Sequence, residues 1–325
     1  MRKVKWGVLG TADIARGCTI PGMQQAENCE LYAVAGRSLE KAQQFKEMFG
    51  FEKVYGDYNE LLSDPEVEAV YIPLPNQLHY EWVIAAIDAG KHVLCEKPIT
   101  PTAEMAKKLF QHAKEKNVFL MEAFAYLQTP YIAAVKKEIE EESFGKVDYI
   151  ESAFLTPGYD GSNIRMQKAC YGGALYDLGC YCTSMITWML GKTPVSVKGI
   201  AEFTEEGVDI MTAGMMNFGN GLRASFNCGM NFDKDYPSRF DRLYIHGSKG
   251  YIKSDTAFNE DGELSYTLCV DGKKEVKTVS ALQNYRLEVE QLGRCILEGE
   301  TPLVSAEFSI MNAETMDMLL TEIGY

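Results

Sequence analysis

Residues 90–98 read GKHVLCEKP. The residues from 92 to 95 are typical of a short buried strand, and this strand ends where Glu96 and Lys97 begin. Pro98 prevents the strand from continuing, because proline has no backbone N–H to pair. Ligands of open α/β sheets bind beyond the carboxyl ends of the strands. The stretch therefore predicts a lysine ammonium at the ligand-binding edge of such a sheet.

The segments on either side of this strand repeat the same alternation of strand and helix. Six short apolar strands separated by helices within about 120 residues predict a doubly wound parallel sheet. We expect this sheet to form a first domain, residues 1–122. The predicted strands are 3–9, 31–35, 54–55, 69–72, 92–95 and 118–121, and the helices between them include a first one that ends near Thr19, before Pro21, and others at 39–49, 78–89 and 103–116.

The pattern changes after about residue 123 to longer segments with alternating apolar residues. Turn signals lie between some of them, Gly219-Asn220-Gly221 and Asp271-Gly272. This pattern is typical of a mostly antiparallel sheet, and we expect an α+β domain with a large open sheet over residues 123–325. The predicted strands are 147–155, 195–203, 208–218, 222–228, 240–246 and 264–270, and the predicted helices are 174–190, 284–298 and 305–323.

Composition and charge exclude several classes of function. The chain has 325 residues and a formal net charge of −14, and both nucleic acids and anionic membranes need a positive partner. No apolar run approaches the ~20 residues that span a bilayer, and the N-terminus predicts a strand and no signal peptide. Nine cysteines without a repeating spacing predict free thiols in a reducing cytoplasm. Cys180 and Cys182 lack the spacing of a zinc site, so we predict no metal.

A glycine turn follows the first strand, where a dinucleotide-binding protein needs one. Gly10 permits the tight turn, and Ala12 and Ala15 replace the second and third glycines of the fingerprint. Both alanines are small enough to let backbone N–H groups approach a pyrophosphate. The predicted contacts are Gly10, Thr11, Ala12 and Ile14. The alternative is an ordinary strand-to-helix turn.

The end of the second strand is where the adenosine ribose of a bound dinucleotide is recognised. An NAD site needs a carboxylate there, but this chain has Arg37 and Ser38. A guanidinium and a hydroxyl suit the 2′-phosphate of NADP, although NAD binding remains open. The alternative is that Arg37 is a solvated turn residue.

The fourth predicted strand ends in Pro73-Leu74-Pro75-Asn76. The two prolines would hold this loop extended, so that its backbone at Leu74 and the side chain of Asn76 lie along a cofactor. His79 falls in the first turn of the next helix. It is either a cofactor contact or a structural residue of that helix.

A second group of candidate residues lies on the predicted helix 174–190. Asp177 and Tyr181 are four residues apart and therefore share a helix face. An ammonium such as Lys97 favours the phenolate of a nearby tyrosine. A Lys97–Tyr181 couple would then take the proton from a hydroxyl whose carbon gives hydride to a nicotinamide. The alternative is that Tyr181 packs in the core and Asp177 is a surface carboxylate.

These motifs resemble one family of oxidoreductases. The stretches AGKHVLCEKP at 89–98 and GGALYDLGCY at 172–181 are similar to the motifs of the glucose–fructose oxidoreductase / inositol dehydrogenase / MocA (Gfo/Idh/MocA) family. The stretches VYIPLPNQLH at 70–79 and MEAF at 121–124 also fit, and the resemblance covers essentially the whole chain. Within the family, the chain is most similar to the NADP-linked trans-dihydrodiol dehydrogenase and D-xylose dehydrogenase branch.

The resemblance implies roles for individual residues. Lys97 and Tyr181 would be catalytic, Asp177 would contact substrate hydroxyls, and Glu96 would help to seat the nicotinamide. Tyr126 and Arg165 fall where members of the family line the substrate cleft. Tyr181 stands where many relatives have histidine, so a histidine relay is excluded, and Gln128 departs from the family pattern, so substrate choice cannot be transferred.

Together these observations predict an NADP-dependent dehydrogenase that oxidises a hydroxyl of a sugar, polyol or cyclic trans-diol. The resemblance also implies a homodimer, or a higher homo-oligomer, formed through the sheet of the second domain. One alternative is a non-catalytic NADP-binding sensor or regulatory protein on the same fold. Another is an oxidoreductase that retains its cofactor and exchanges hydride between two sugars. We find no signal peptide or N-terminal arm in the sequence to support this second alternative.

Overall fold

The computed structural model of the protein describes residues 2–233 and 238–325. Its chain divides into two compact units. The first contains the residues up to Thr100 together with Glu104–Gln128 and Leu282–Ser309, and the second contains Pro101–Ala103, Thr129–Ala281 and Ile310–Tyr325. Each compact unit combines three separate segments of the chain, whereas the predicted domains are two continuous ranges that meet at residue 122. The predicted domain boundary therefore stays a prediction.

The first unit is built on a six-stranded sheet in the order β3-β2-β1-β4-β5-β6, with every neighbouring pair parallel. The doubly wound sheet is thereby confirmed. Its central strands are apolar on both faces, and Trp6, Val34 and Val93 are fully buried, as expected for a sheet covered by helices. The strands are β1 Val4–Leu9, β2 Cys29–Ala35, β3 Lys53–Tyr55, β4 Ala69–Ile72, β5 His92–Glu96 and β6 Leu120–Ala123.

The second unit is built on an eight-stranded sheet in the order β14-β13-β12-β11-β7-β10-β9-β8. All neighbouring strands are antiparallel except β7 and β10, which run parallel. This confirms the mostly antiparallel sheet. The strands are β7 Val147–Pro157, β8 Ser196–Phe203, β9 Asp209–Asn217, β10 Arg223–Phe232, β11 Phe240–Gly247, β12 Gly250–Ser254, β13 Gly262–Val270 and β14 Lys273–Ala281.

Two of these strands, β12 and β14, were not predicted. The segment of β12 is short, and Lys273–Ala281 is rich in charged and polar residues, so that most of its side chains are exposed. Neither segment carries the apolar run that marks a buried strand. They form because β11 and β13 offer unpaired backbone groups beside them.

The helices of the described residues follow the predicted pattern, with two additional ones, α3 and α6. They are α1 Ile20–Gln25, α2 Leu39–Phe49, α3 Tyr58–Leu62, α4 Asn76–Asp88, α5 Ala103–Glu115, α6 Pro130–Glu140, α7 Cys180–Leu190, α8 Asn284–Glu298 and α9 Ala306–Ile323. No helix among the described residues combines the length and apolarity that crossing a membrane requires.

The first helix does not end before Pro21, as we expected, but continues to Gln25. A π-helical turn, Ala15–Thr19, precedes it, and the α-helix restarts at Ile20. Pro21 therefore lies inside a helical segment that is continuous from Asp13 to Gln25, directly after the π-helical turn that already interrupts the regular α-helical hydrogen bonds.

Helix α8 lies far along the chain but belongs to the first unit. It packs against α1 and contacts β1, β2 and β5. The side-chain amide of Asn28 donates to the backbone oxygen of Glu290 at 2.8 Å, which ties the start of the sheet to this helix. A segment from the C-terminal part of the chain thus completes the core of the first unit.

One face of the second sheet is packed and the other is open. Helices α6 and α7 cover the face that carries Ile150, Phe226 and Ile252, all of which are buried. The opposite face carries Ile200 and Met215, which are 77% and 54% exposed. This alternation is the normal result of a sheet with one solvated face.

Candidate active site

In the first unit, Lys97 follows β5 directly, as the sequence predicts. The hydroxyl of Tyr71 donates to Glu96 Oε1 at 2.5 Å, and Thr19 Oγ1 donates to the Tyr71 oxygen at 2.9 Å. The other oxygen of Glu96 accepts the backbone N–H of Lys97 at 3.3 Å. This chain of hydrogen bonds fixes the Glu96 carboxylate beside the lysine.

Two more carboxyl groups lie in the same core, and we call Glu96, Glu122 and Glu288 the acidic cluster. Glu122 Oε1 accepts the N–H of Ile99 at 2.8 Å, and burial raises the pKa of Glu122 to about 7. Glu288 on α8 is fully buried, and neither of its oxygens has a hydrogen-bond partner among the described residues. Burial, and then the nearby Glu96, raise the pKa of Glu288 well above its ordinary value. Burial thus favours the protonated, neutral form of Glu288.

The turn after β1 has the shape that a dinucleotide needs. Gly10 has a φ of +124°, and a Cβ there would lie 3.0 Å from a methyl carbon of Leu74. Thr11, Ala12 and Ile14 follow as the chain becomes helical. Since a glycine-lined turn leading into a helix presents backbone N–H groups to a phosphate, these residues fit a bound dinucleotide.

The structure places Arg37 and Ser38 at the end of β2, on the surface. Ser38 caps α2 by accepting the N–H of Lys41 at 3.4 Å. Burial raises the pKa of the Tyr58 phenol, and the adjacent Arg37 guanidinium opposes that effect. Arg37 thus follows β2, the strand that pairs with β1, and its side chain is exposed. This position fits a 2′-phosphate.

His79 braces two segments that flank this region. Its ring is fully buried, with Nδ1 2.9 Å from the Pro98 oxygen and Nε2 2.7 Å from the Leu74 oxygen. Burial lowers the pKa of His79. The structure shows a link between the loop before α4 and the segment after Lys97, whereas a direct cofactor contact stays a prediction. Asn76 begins α4 beside this loop.

Tyr126 belongs to the first unit, in the 3₁₀ turn Ala125–Gln128. Its side chain is 3% exposed and packs edge-on against Phe124, with ring centroids 6.1 Å apart. Its predicted contact with substrate stays a prediction.

In the second unit, the predicted helix 174–190 begins with a π-helical turn, Leu175–Gly179, and continues as α7. Gly173 precedes it with a φ of +113°, and a Cβ there would lie 2.1 Å from Asp209 Oδ1. Asp209 Oδ2 accepts the N–H of Leu175 at 2.8 Å. The glycine is required because the buried Asp209 carboxyl occupies the space that a side chain would need.

Asp177 and Arg165 contact each other. Arg165 Nε donates to Asp177 Oδ2 at 2.6 Å, and the carboxylate raises the pKa of the guanidinium. Arg165 also lies over the ring of Tyr159, 5.1 Å from its centroid. The sequence predicts each of the two as a separate substrate contact; the structure joins them in one ion pair, so that Arg165 orients the carboxylate.

Tyr181 lies on α7 and is 8% exposed. The rings of Phe154 and Phe258 pack against it at centroid distances of 5.4 and 5.3 Å, and we call these three residues the aromatic cluster. The amide of Asn259 donates to the Tyr181 hydroxyl oxygen at 3.2 Å. Lys97 belongs to the first unit and Tyr181 to the second, and their joint action stays a prediction.

Several residues of these groups were not found from the sequence. Glu288 offered a signal, because it lies three residues after Tyr285 and four before Leu292, on the predicted apolar face of its helix. Phe258 and Asn259 offered none, since they lie in the connection between β12 and β13.

All nine cysteines are free, and seven of them are buried.

Comparison with known proteins places the whole chain among oxidoreductases. Residues 4–124 match the family described as "Oxidoreductase family, NAD-binding Rossmann fold" (GFO_IDH_MocA), and residues 132–253 match the GFO/IDH/MocA C-terminal domain. The chain is 35% identical over 320 residues to the D-xylose 1-dehydrogenase (NADP(+)) 2 of Haloferax volcanii, covering 97% of this chain and 95% of that protein.

Two further relatives match over nearly their full length. The trans-1,2-dihydrobenzene-1,2-diol dehydrogenase of Xenopus laevis is 30% identical over 330 residues, covering 98% of each chain. The crystal structure of a 3-ketoreductase from Actinomadura kijaniata in complex with NADP and TDP-benzene superimposes with a TM-score of 0.92. That ketoreductase is 28% identical, and the match covers 99% of this chain and 98% of the other.

Proposed function

The chain belongs to the Gfo/Idh/MocA oxidoreductase family, and from this premise we propose that it is an NADP-dependent dehydrogenase for a hydroxyl of a sugar, polyol or cyclic trans-diol. The observation that carries the proposal is the full-length similarity to an NADP-linked sugar dehydrogenase together with a lysine at the carboxyl end of β5. The diol dehydrogenase supports a diol as the type of substrate, and the ketoreductase, which was crystallised with NADP, supports the cofactor.

We assign the cofactor to the residues of the first unit. Gly10, Thr11, Ala12 and Ile14 would hold the pyrophosphate. Arg37 and Ser38 would hold the 2′-phosphate, while Leu74, Asn76 and His79 would support the loop along the cofactor. Glu96, oriented by Tyr71, would seat the nicotinamide. When bound, the nicotinamide supplies a two-electron acceptor that takes a hydride from the substrate carbon.

The proton of the substrate hydroxyl goes to this chain's own residues. Lys97 would hold the hydroxyl oxygen, and the phenolate of Tyr181 would accept its proton as the C–H bond breaks and a carbonyl forms. Asp177, oriented by Arg165, would bind a neighbouring hydroxyl. Tyr126 would line the substrate cleft. The products are a carbonyl compound, NADPH and a proton, which Tyr181 releases.

The proposal is tested by titrating the protein with NADPH and with NADH, using the fluorescence of the reduced nicotinamide. We expect NADPH to bind at least about tenfold more tightly, because the Arg37 guanidinium pairs with the additional phosphate. Arg37→Ala should remove most of that difference, whereas Lys46→Ala, further along α2, should leave it unchanged. Preferential binding of NADH would overturn the assignment of Arg37.

An absorbance screen with NADP⁺ then tests catalysis, using pentoses, hexoses, inositols and cyclic trans-diols. Turnover of at least one of these classes is expected. Tight binding of NADPH without turnover of any class would favour the alternative of a non-catalytic NADP-binding sensor.

Two further parts of the proposal concern the whole protein. The open face of the second sheet suits a homodimer, because Ile200 and Met215 place exposed apolar side chains on the same face of the adjacent strands β8 and β9. We also propose a cytoplasmic location, because nine free cysteines suit a reducing compartment.

A further inference from the structure

The connection between β12 and β13 reaches the proposed catalytic tyrosine. Its residue Asn259 donates from Nδ2 to the Tyr181 hydroxyl oxygen at 3.2 Å, across 78 residues of sequence. The carbonyl oxygen of the same amide is buried and has no hydrogen-bond partner among the described residues. No motif of the family resemblance includes this residue.

An ion pair holds this connection in place. Arg239 donates to both oxygens of Asp241, at 2.5 and 2.8 Å. Arg239 Nη2 also donates to the backbone oxygen of Phe258 at 2.8 Å, and Asp241 Oδ1 accepts the backbone N–H of Phe258 at 2.9 Å. Both backbone polar groups of Phe258 are therefore fixed by charged partners. The residue beside it, Asn259, is held with them.

The backbone of Asn259 suits asparagine in particular. Its φ is +60°, in the left-handed region that asparagine tolerates better than other residues with a side chain. The amide is thus presented to the phenol from a connection whose conformation is fixed before any ligand binds.

The surroundings of Tyr181 make a hydrogen-bond donor valuable. Its ring is 8% exposed and packs against Phe154 and Phe258, which also stack on each other. These apolar surroundings disfavour the charged phenolate. A hydrogen bond donated to the oxygen favours the phenolate and opposes this cost.

Among the described residues of this unit, two ion pairs lie beside Tyr181 or its aromatic neighbour Phe154. Asp177, one turn earlier on the same helical segment, pairs with Arg165, and Asp241 pairs with Arg239. Each pair joins one positive and one negative charge, so that its net charge is zero. The connection itself adds Glu260 and Asp261, both exposed. Besides these, the proposed mechanism adds the ammonium of Lys97.

We propose that Asn259 is a positioning residue that stabilises the phenolate of Tyr181 and so lowers the pH at which the enzyme becomes active. This inference rests on the proposed function for its consequence in catalysis, but the hydrogen bond and its effect on the phenol exist without substrate. The two can therefore be tested separately.

The first experiment needs neither cofactor nor substrate. The ultraviolet absorbance of tyrosinate is titrated with pH in the wild-type protein and in Tyr181→Phe, and the difference reports Tyr181 alone. The same difference is measured in an Asn259→Ala background. We expect the midpoint for Tyr181 to rise by about one pH unit, a tenfold loss of phenolate at a given pH.

The matched control is Asn220→Ala. Asn220 lies in the hairpin turn between β9 and β10 with a φ of +53°, so this variant has the same backbone cost without a contact to Tyr181. We expect its midpoint to equal that of the wild type. Asn259→Asp, which keeps the size of the side chain, serves if the alanine variant does not fold. Its carboxylate should raise the midpoint further by repelling the phenolate.

The second experiment measures kcat for oxidation against pH with a substrate from the screen. The acid limb should move to higher pH in Asn259→Ala, and the variant should lose this effect when Tyr181→Phe is also present. An unchanged midpoint in both experiments would overturn the inference. A lower midpoint would also overturn it, because it would mean that the amide oxygen accepts a hydrogen bond from the phenol O–H and stabilises the neutral phenol. Absence of turnover in the wild type would instead overturn the proposed function and leave the absorbance result standing.

Discussion

The hydroxyl of Tyr181 is the atom on which the proposed proton transfer depends. The spacing to Asp177 places Tyr181 on a shared helix face, and the resemblance to the family implies its catalytic role. The sequence did not predict the aromatic cluster or Asn259, because their contacts with Tyr181 join residues far apart in the chain. Tyr181 is buried as deeply as a residue that serves only in packing. A substitution must therefore distinguish a role in proton transfer from a role in packing.

Tyr181→Phe keeps the ring and removes only the hydroxyl. We expect kcat for oxidation to fall by about 10²–10⁴-fold, the usual contribution of a positioned proton acceptor, while the cofactor still binds. The control is Tyr176→Phe, in the π-helical turn just before α7, whose hydroxyl donates to the Pro101 oxygen at 3.1 Å. It should retain near wild-type kcat. A Tyr181→Phe enzyme with normal turnover would assign Tyr181 to packing alone.

At the scale of elements, both helices that follow the key glycine motifs begin with a π-helical turn, Ala15–Thr19 and Leu175–Gly179. Such turns are rare in proteins, and those that occur are often found at functional sites. Sequence periodicity predicts a helix in both places but does not distinguish an α-turn from a π-turn, because one inserted residue changes the pattern only locally. The turn at Leu175 is possible because Asp209 binds its first N–H group.

Gly173→Ala tests this arrangement. The added Cβ would meet Asp209 Oδ1 at 2.1 Å in a backbone conformation that alanine disfavours, so we expect the free energy of unfolding to fall by about 2–4 kcal/mol. The measurement is urea denaturation. As the control, Gly17→Ala adds a Cβ that meets no atom within 4 Å in a helical segment, and it should change stability by no more than about 1 kcal/mol. Equal effects of the two substitutions would contradict the role of Asp209.

At the scale of the whole molecule, the acidic cluster makes stability depend on pH. The pKa of Glu122 is raised to about 7 in the folded protein from an ordinary 4.5. The folded state therefore holds a proton that the unfolded state releases between these pH values. Its contribution to stability is complete below about pH 4.5 and is lost as the pH rises through about 7.

Glu122→Gln, which stays neutral and keeps an acceptor for the Ile99 N–H, isolates this contribution. We expect the wild type to lose on the order of 3 kcal/mol more than the variant between pH 5 and 8, measured by urea denaturation at each pH. Glu47→Gln, at an exposed position on α2, should follow the wild type. Parallel pH curves for wild type and Glu122→Gln would show that Glu122 is not the titrating group.

The proposed homodimer is also a property of the whole molecule. Ile200→Glu places a charge on the open face of the second sheet, where the side chain is 77% exposed. If this face is the interface, burying the unpaired carboxylate should shift the mass in solution from dimer to monomer at micromolar concentration. Met48→Glu, on α2, replaces a side chain that is 59% exposed and should leave the mass unchanged. Sedimentation or light scattering distinguishes these outcomes.

The sequence by itself determined the parallel sheet, the glycine turn and the lysine after β5, because strand and helix periodicity and turn residues act over a few neighbouring positions. Only the tertiary structure decided that α8 returns to the first unit and buries Glu288 near Glu96. The same holds for the contact of Asn259 with Tyr181. These contacts join segments that no local pattern relates, since they arise when distant apolar faces pack and carry polar side chains with them.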